Sequence, residues 1–316
     1  MTEETSILGV DFSGAKADKN TWVTQGILTG GALTISSCES TPRAELVDLL
    51  AALPSGSVAA LDFPFSVPRL FAGSWLPEAV SMPQLWEAAA AMDLPEFMVL
   101  RDDFVAEHGE PLRRGDLYFP ECYSCLHKAN PNMVPMTFRG MQMLAGLWES
   151  GCRVPPLPDQ GRTCPVLLES MPGAALRAFG LPFKGYKKGR NAVELRRQIL
   201  DGLAIRSGVS LPNLAHFSDR CIGNDDCLDS AVAAVAADSV HLAEEALAMI
   251  EVDYEVLPPV NDVLDAMKAD SPVLHERLAT LSNPNLRPGG LRSEDDTGQG
   301  SNIANHFVFE IGDLEK

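Results

Sequence analysis

The hydrophobic pattern of the first part of the chain predicts a sheet. Residues 7–10 form an apolar run that ends in Asp11 and is followed by a glycine turn, which is the pattern of a short buried strand. Two further strand-like runs, residues 21–28 and 33–38, are separated by a Gly-Gly pair, which indicates a β-hairpin. We therefore expect three strands that pair as an antiparallel meander.

The pattern then changes to helical spacing and returns to a strand. Pro42 stands where a helix can begin, and the leucines between residues 46 and 53 keep the spacing of one helix face. The next apolar run, residues 58–61, again ends in an acid, Asp62. This part of the chain predicts the order β-β-β-α-β.

The remainder divides into an insertion, a second regular stretch and a tail. Residues 64–158 are rich in proline, methionine and tryptophan, and we interpret them as an insertion packed over the sheet. Another strand ends at Glu169, and an alanine-rich helix follows Asp226. Further helices are predicted at residues 84–92, 174–179 and 191–205. Residues 1–240 are thus expected to form one α/β domain, with residues 241–316 appended to it.

Several acidic residues share one feature, since each stands at the end of a predicted strand or the start of a predicted helix. They are Asp11, Asp62, Glu169, Asp226 and Asp229. We expect the carboxylates of Asp11, Asp62, Glu169 and at least one of the α-helical pair, Asp226 and Asp229, to converge within about 8 Å, as a two-ion site requires. Such oxygen ligands favour Mg²⁺ or Mn²⁺. In this hypothesis Asp11 bridges two ions, Asp62 and Glu169 each hold one, and Asp226 or Asp229 completes the set. The alternative, that these acids only cap helices and form turns, stays open, above all for Asp226.

Charge is unevenly distributed along the chain. The net charge of −18 works against a broad nucleic-acid-binding surface, but residues 241–316 hold 15 acidic and only 5 basic residues. Residues 177–197 reverse the sign, with seven Lys and Arg against Glu194. A solvated helix face explains this stretch as well as a phosphate-binding patch does. The candidate substrate-binding residues are Lys16, Lys184, Lys187, Lys188 and Arg190.

Composition narrows the class of protein further. No apolar run reaches the ~20 residues of a membrane span, and the first residues are acidic, so we expect no membrane partner and a cytoplasmic location. Seven cysteines fit reduced thiols better than a disulfide framework. Cys122, Cys125 and His127 have zinc-like spacing, but without a second matched pair free thiols are the expected state.

Five motifs in order carry a family resemblance. They are Gly9–Lys16, Leu61–Pro68, Glu169–Pro172, Lys184–Lys187 and Asp226–Ala231. Over residues 6–240 the chain resembles domain of unknown function 429, a family of predicted ribonuclease H-like nucleases. The resemblance implies a ribonuclease H-like mixed sheet flanked by helices, and a metal-dependent hydrolase acting on a nucleic acid or nucleotide. Met171 departs from similar sequences, which commonly carry histidine there.

Two other functions stay open at this point. Residues 11–14 resemble the phosphate loop of actin-like ATPases and sugar kinases, which share the ribonuclease H core, so a phosphotransferase is an alternative. It would need a second glycine motif, and residues 221–224 hold a single glycine. Met171 and the appended tail favour a third possibility, a catalytically inactive binding protein.

The tail resembles an unrelated family. Its segments are similar to the end of the hammerhead domain and the following linker in the molybdenum-binding subunit of xanthine dehydrogenase and aldehyde oxidase, which suggests a gene fusion. We expect no molybdopterin, because the parts that hold it are not among the similar segments. Within the tail, residues 250–257 alternate like a strand, and residues 283–301 are rich in proline, glycine and acids, which predicts mobility. The similar segments are Ala243–Leu247, Ile250–Val260, Leu274–Glu276, Asn302–Ile303 and Gly312–Glu315.

We predict that truncation after Pro259 leaves the body folded and any metal-dependent activity intact, because every proposed ligand precedes Ala231. Circular dichroism of the truncated protein and limited proteolysis of the full chain test this. Proteolysis should cut first between residues 283 and 301. A protease-resistant tail, or a truncation that unfolds the body, would show that the tail is an integral part of the fold.

Overall fold

The structure is a computed structural model that describes residues 4–14, 20–119, 122–159, 161–162, 165–248, 262–268 and 271. The chain divides into two units, residues 1–249 and 250–316. In the second unit the described residues include a short helix, Val263–Ala266. Lys16 and the predictions for residues 250–257 and 283–301 lie outside the described residues.

Within the described chain, five strands form one open sheet. They are β1 (Glu4–Asp11), β2 (Trp22–Thr29), β3 (Ala32–Ser40), β4 (Val58–Asp62) and β5 (Val166–Glu169). The strand order is β3-β2-β1-β4-β5; β1, β2 and β3 pair antiparallel, whereas β4 runs parallel to β1 and β5 parallel to β4. The predicted mixed α/β sheet and its meander are confirmed.

The sheet separates two hydrophobic cores because side chains of a strand alternate between its faces. In β1, for example, Leu8 and Val10 belong to one core and Ile7 to the other. The first core is covered by α1 (Arg43–Ala51), α2 (Arg69–Trp75), α3 (Met82–Ala90), α4 (Leu94–His108) and α5 (Met133–Glu149). The second is covered by α6 (Pro172–Ala178), α7 (Ala192–Arg206), α8 (Ser218–Gly223) and α9 (Asp225–Ala248). None of the helices in the described part of the chain has the length and apolar character needed to cross a membrane.

The insertion is more regular than the sequence predicts. One helix is expected between residues 64 and 158, and the described residues of this segment hold four α-helices, α2 to α5, and a short 3-10 helix, Gly115–Tyr118. Both α3 and α4 begin with a capping box, in which the side chain three residues into the helix bonds back to the capping residue. Trp86 is fully buried and its indole N–H donates to the Phe65 carbonyl at 2.7 Å. The insertion thus packs on the sheet as part of the first core.

Helix α9 lies against β1 at a separation that only glycine allows. A Cβ built on Gly9 would lie 2.1 Å from the Ser230 carbonyl oxygen and 2.2 Å from the Ala234 backbone nitrogen, both on α9. Real Cβ atoms do not approach backbone atoms this closely. The contact places the first turns of α9, which carry Asp226 and Asp229, beside the carboxyl end of β1.

We expect Gly9→Ala to lower the free energy of unfolding by roughly 3 kcal/mol or more, because the added methyl must push α9 away from the sheet. Gly146→Ala is the matched control. It lies on the exposed face of α5, where an added Cβ meets nothing within 4 Å, and should raise stability by about 0.5–1 kcal/mol through helix propensity. Urea unfolding of both variants measures the difference, and equal stabilities would contradict the close contact.

Candidate active site

Three carboxylates converge at the carboxyl ends of β1 and β4. Asp11 and Asp62 are the last residues of these parallel strands and are partners in the strand register. Asp229 reaches them from the first turns of α9. Each of the three offers a carboxylate oxygen, and these oxygens lie within 4.8 Å of one another. We call Asp11, Asp62 and Asp229 the carboxylate cluster.

Asp229 is held in place by two neighbouring residues of one loop. Its side chain is fully buried, the Tyr186 hydroxyl donates to its Oδ1 at 2.8 Å, and Lys187 Nζ lies 2.6 Å from its Oδ2. Burial raises the pKa of Asp229 and the contact with Lys187 opposes that rise. Desolvation would lower the pKa of Lys187, but attraction to Asp229 and the neighbouring acids raises it above its ordinary value. Lys187 therefore stays charged and serves as the counter-ion of Asp229.

Proton affinity is high throughout the carboxylate cluster. Burial, followed by repulsion from Asp229 and Asp62, raises the pKa of Asp11 well above its ordinary value. Burial raises the pKa of Asp62 to about 7, with Lys187 opposing and Asp229 adding to the rise. The single ammonium beside the cluster does not offset several carboxylates, so a further cation is favoured there.

Asp226 stands at the edge of the cluster. Burial followed by repulsion from Asp225 raises the pKa of Asp226, while Lys187 and the interaction with Asp11 oppose that rise. It is partly exposed, whereas Asp229 is buried. The i,i+3 spacing on α9 thus brings both predicted acids toward Asp11, in different environments.

The position of Glu169 at a strand end predicts that it binds a metal ion, but its side chain contacts two residues of the insertion, Phe65 and Arg113. Its Oε2 accepts from the Phe65 backbone N–H at 3.0 Å, and the Arg113 guanidinium donates to both of its oxygens, at 2.9 and 2.5 Å. The reason is side-chain alternation in β5, where Leu167 faces the insertion core and Glu169, two residues later, faces the same way. Among the described residues, the group of gathered acids includes Asp11, Asp62 and Asp229 but not Glu169.

Arg113, which the sequence does not single out, joins Glu169 to the insertion. Its guanidinium also bonds the carboxylate of Asp116, with Nη2 2.7 Å from Oδ1. Both partners therefore hold the guanidinium in one orientation. No spacing or motif signals this residue, because its partners come together only when the insertion folds onto β5.

The predicted basic residues separate into two groups. Lys187 lies at the carboxylate cluster, and Lys184 lies in the same loop with its Nζ 5.4 Å from the centre of the Phe183 ring. Lys188 and Arg190 are exposed farther along this loop. Of the described candidates, Lys187 therefore contacts an acid of the cluster, and Lys184 lines the same cleft as Lys187 and Asp229.

Two clefts meet at the carboxylate cluster. One, of about 650 Å³, lies between the insertion and the β4–β5 edge and is largely apolar. The other, of about 540 Å³, is lined by Lys184 and Lys187 together with Asp229. Asp62, Tyr123 and Met171 line both. We call them the apolar cleft and the basic cleft.

Three cysteines lie close together in the second core, and they are not the pair Cys122 and Cys125 that the sequence singles out. Cys38, Cys221 and Cys227 are buried, with sulfurs within 4.8 Å of one another. They come from β3, α8 and α9, so no sequence motif could reveal them.

The residues with zinc-like spacing have other partners. The Cys122 thiol donates to the Met171 sulfur at 3.2 Å, and Cys125 is buried against the Ser66 carbonyl. His127 Nδ1 lies 2.6 Å from Glu110 Oε2. Among the described residues, Cys122, Cys125 and His127 thus form no group that could hold a metal ion.

The fold and the site define a class of protein: an open, mixed α/β sheet flanked by helices, with carboxylates at its strand ends. Residues 135–255 match the model of a family described as "Protein of unknown function (DUF429)", which confirms the resemblance over that part of the chain. Asp11 and Asp62 precede the matched residues, and Glu169, Asp226 and Asp229 lie within them. No solved structure matches the chain.

Short matches to curated proteins are consistent with the resemblance of the tail. The chain is 40% identical over 85 residues to "Probable hypoxanthine oxidase XdhD" of Escherichia coli O157:H7, which covers 26% of this chain and 8% of that protein. It is 48% identical over 48 residues to "Carbon monoxide dehydrogenase large chain" of Hydrogenophaga pseudoflava, covering 15% of this chain and 6% of that protein. The chain thus spans less than a tenth of the length of these relatives.

We predict that Asp62→Asn stabilises the protein in a pH-dependent way when metal is absent. A folded-state pKa of about 7 lies above the unfolded value of about 4, so wild-type stability falls as pH rises through this window. Asparagine cannot ionise and avoids that loss. Between about pH 5 and pH 8 the variant should gain roughly 1–3 kcal/mol over wild type.

Chemical unfolding in EDTA at several pH values measures this gain. Asp201→Asn, the same change at an exposed position of α7, is the control and should show no comparable trend. A pH-independent difference for Asp62→Asn would contradict the raised proton affinity of this residue.

Proposed function

We propose that this protein is a divalent-metal-dependent nuclease that hydrolyses phosphodiester bonds. The observation that carries the proposal is the carboxylate cluster, in which three buried or half-buried acids from β1, β4 and α9 offer oxygens within 4.8 Å. The cluster lies where two clefts meet, so a ligand can reach it. The matched family is described as one of unknown function, so the activity is our proposal alone.

The donor atoms fit magnesium or manganese. All three ligating groups are hard carboxylate oxygens, which these cations prefer. Burial, with added repulsion from neighbouring acids, raises the pKa values of Asp11 and Asp62, so their ionised forms are costly without a cation. Asp11, Asp62 and Asp229 would hold the cation, with Asp226 at the edge. When bound, it would lower the pKa of a water molecule and stabilise the charge of a leaving oxygen.

The chain's own residues have separate roles in this proposal. Tyr186 and Lys187 orient Asp229, because each contacts one of its two carboxylate oxygens. The side chain of Lys187 is half exposed, so its charge also attracts a phosphate into the basic cleft. Arg113 and Glu169 both line the apolar cleft, and the two hydrogen bonds between them hold each side chain in place.

One observation favours a second candidate, a catalytically inactive ribonuclease H-like binding protein. Met171 lines both clefts, and its thioether cannot transfer a proton as histidine would. This candidate predicts metal and ligand binding without turnover. The phosphotransferase alternative gains no support, since its candidate glycine, Gly223, lies at the end of helix α8.

A cleavage assay separates these candidates. Labelled single-stranded DNA, RNA, duplexes and branched junctions are incubated with Mg²⁺, with Mn²⁺ or with EDTA. The proposal expects cleavage of at least one substrate that depends on the metal and is lost in Asp11→Asn. Metal binding without cleavage of any of them would favour the inactive protein.

We predict that Asp11→Asn keeps or raises the melting temperature in EDTA, because the substitution relieves repulsion among crowded carboxylates. The rise in melting temperature that Mg²⁺ gives wild type by binding the folded state should disappear in this variant. Thermal unfolding with and without Mg²⁺ measures both effects, with Asp201→Asn as control. If the magnesium-induced rise persists in Asp11→Asn, Asp11 is not a ligand.

A further inference from the structure

The apolar and basic clefts differ in chemistry although they share a wall. The apolar cleft is lined by Phe63, Phe65, Met133 and Met136, and its volume of about 650 Å³ is within the ~300–1,000 Å³ range of small-molecule sites. The basic cleft is lined by two lysines, Lys184 and Lys187, of which Lys187 contacts Asp229. A ligand that spans both clefts needs an apolar part at one end and an anionic part at the other.

Aromatic side chains stand exposed at the apolar cleft. Tyr123 is 67% exposed and Phe119 is 42% exposed, and both line this cleft. The Tyr123 ring stacks on His127, with centroids 5.2 Å apart and planes 18° from parallel. His127 is in turn held by Glu110. One face of the tyrosine is therefore supported while the side chain stays open to a ligand, an arrangement suited to stacking on a planar ring.

The position of Asp62 relates the two clefts to the proposed chemistry. Asp62 belongs to the carboxylate cluster and lines both clefts. A nucleotide with its base in the apolar cleft and its phosphate toward Lys184 and Lys187 would place the backbone beside Asp62. A base that is paired and stacked inside a duplex cannot enter such a cleft, whereas an unpaired base can be splayed into it.

We infer that the substrate is a single-stranded nucleic acid, whose unpaired base stacks on Tyr123 in the apolar cleft while the basic cleft holds the adjacent phosphate. This inference rests on the proposed function and names its substrate class. Base stacking on an aromatic side chain tolerates any sequence, so recognition depends on strandedness and on the presence of the base.

Binding measured without turnover tests the inference. Fluorescence anisotropy of the full chain in EDTA compares a labelled single strand, the same strand in a duplex, and an abasic strand of equal length and charge. The single strand should bind at least about 10-fold more tightly than either of the others, because only it supplies an unpaired base. Equal affinities for the three probes, or no binding of any, would overturn the inference.

Variants of Tyr123 give the matched control. Tyr123→Ala should weaken binding of the single strand by about 5- to 100-fold, whereas Tyr123→Phe, which keeps the ring, should bind like wild type. Ile205→Ala removes another exposed apolar side chain, on α7, and should have no effect. An unchanged affinity in Tyr123→Ala would contradict stacking at this residue.

The outcome is separable from that of the proposed nuclease activity. Tight, Tyr123-dependent binding of the single strand without cleavage would sustain the inference and overturn the nuclease proposal. Metal-dependent cleavage with equal binding of the three probes would support the nuclease proposal and overturn the inference about the substrate.

Discussion

The contact between α9 and β1 at Gly9 is the constraint on which the candidate site depends. Because position 9 lacks a side chain, the helix backbone rests directly on the strand. Asp11 follows Gly9 by two residues on the same face of β1, so it meets the first turns of α9, where Asp226 and Asp229 stand. The parallel register of β1 and β4 then adds Asp62. One close contact and one strand register thus gather the acids from distant parts of the chain.

The carboxylate cluster lowers the stability of the folded protein when its acids are ionised. Burial raises the pKa values of Asp11, Asp62 and Asp229, and repulsion between these acids adds to the rise for Asp11 and Asp62, so the ionised forms are costly near neutral pH. Tyr186 and Lys187 compensate for Asp229 in particular. A cluster of acids that is only partly compensated, at the junction of two clefts, is characteristic of a site that needs a cation, and it gives the proposed nuclease function its physical basis.

The sequence predicts the sheet and most of the acidic site because both depend on local patterns. Apolar runs that end in Asp11 and Asp62 mark strand ends, and the spacing of Asp226 and Asp229 marks the first turns of a helix. The direction of Glu169 is not predictable in this way, because residues 166–168 of β5 are apolar on both faces and show no alternation. The bond between Glu169 and Arg113 and the grouping of Cys38 with Cys227 join residues far apart in the chain, which only tertiary packing brings together.

Crystals soaked in Mn²⁺ and measured at the manganese absorption edge test the central claim most directly. The account predicts an anomalous peak within coordination distance, about 2.0–2.3 Å, of carboxylate oxygens of Asp11 and Asp62, with Asp229 beside it. The same measurement on Asp11→Asn should lose the peak. An empty carboxylate cluster in well-diffracting wild-type crystals at saturating Mn²⁺, or manganese bound only elsewhere, would contradict the account.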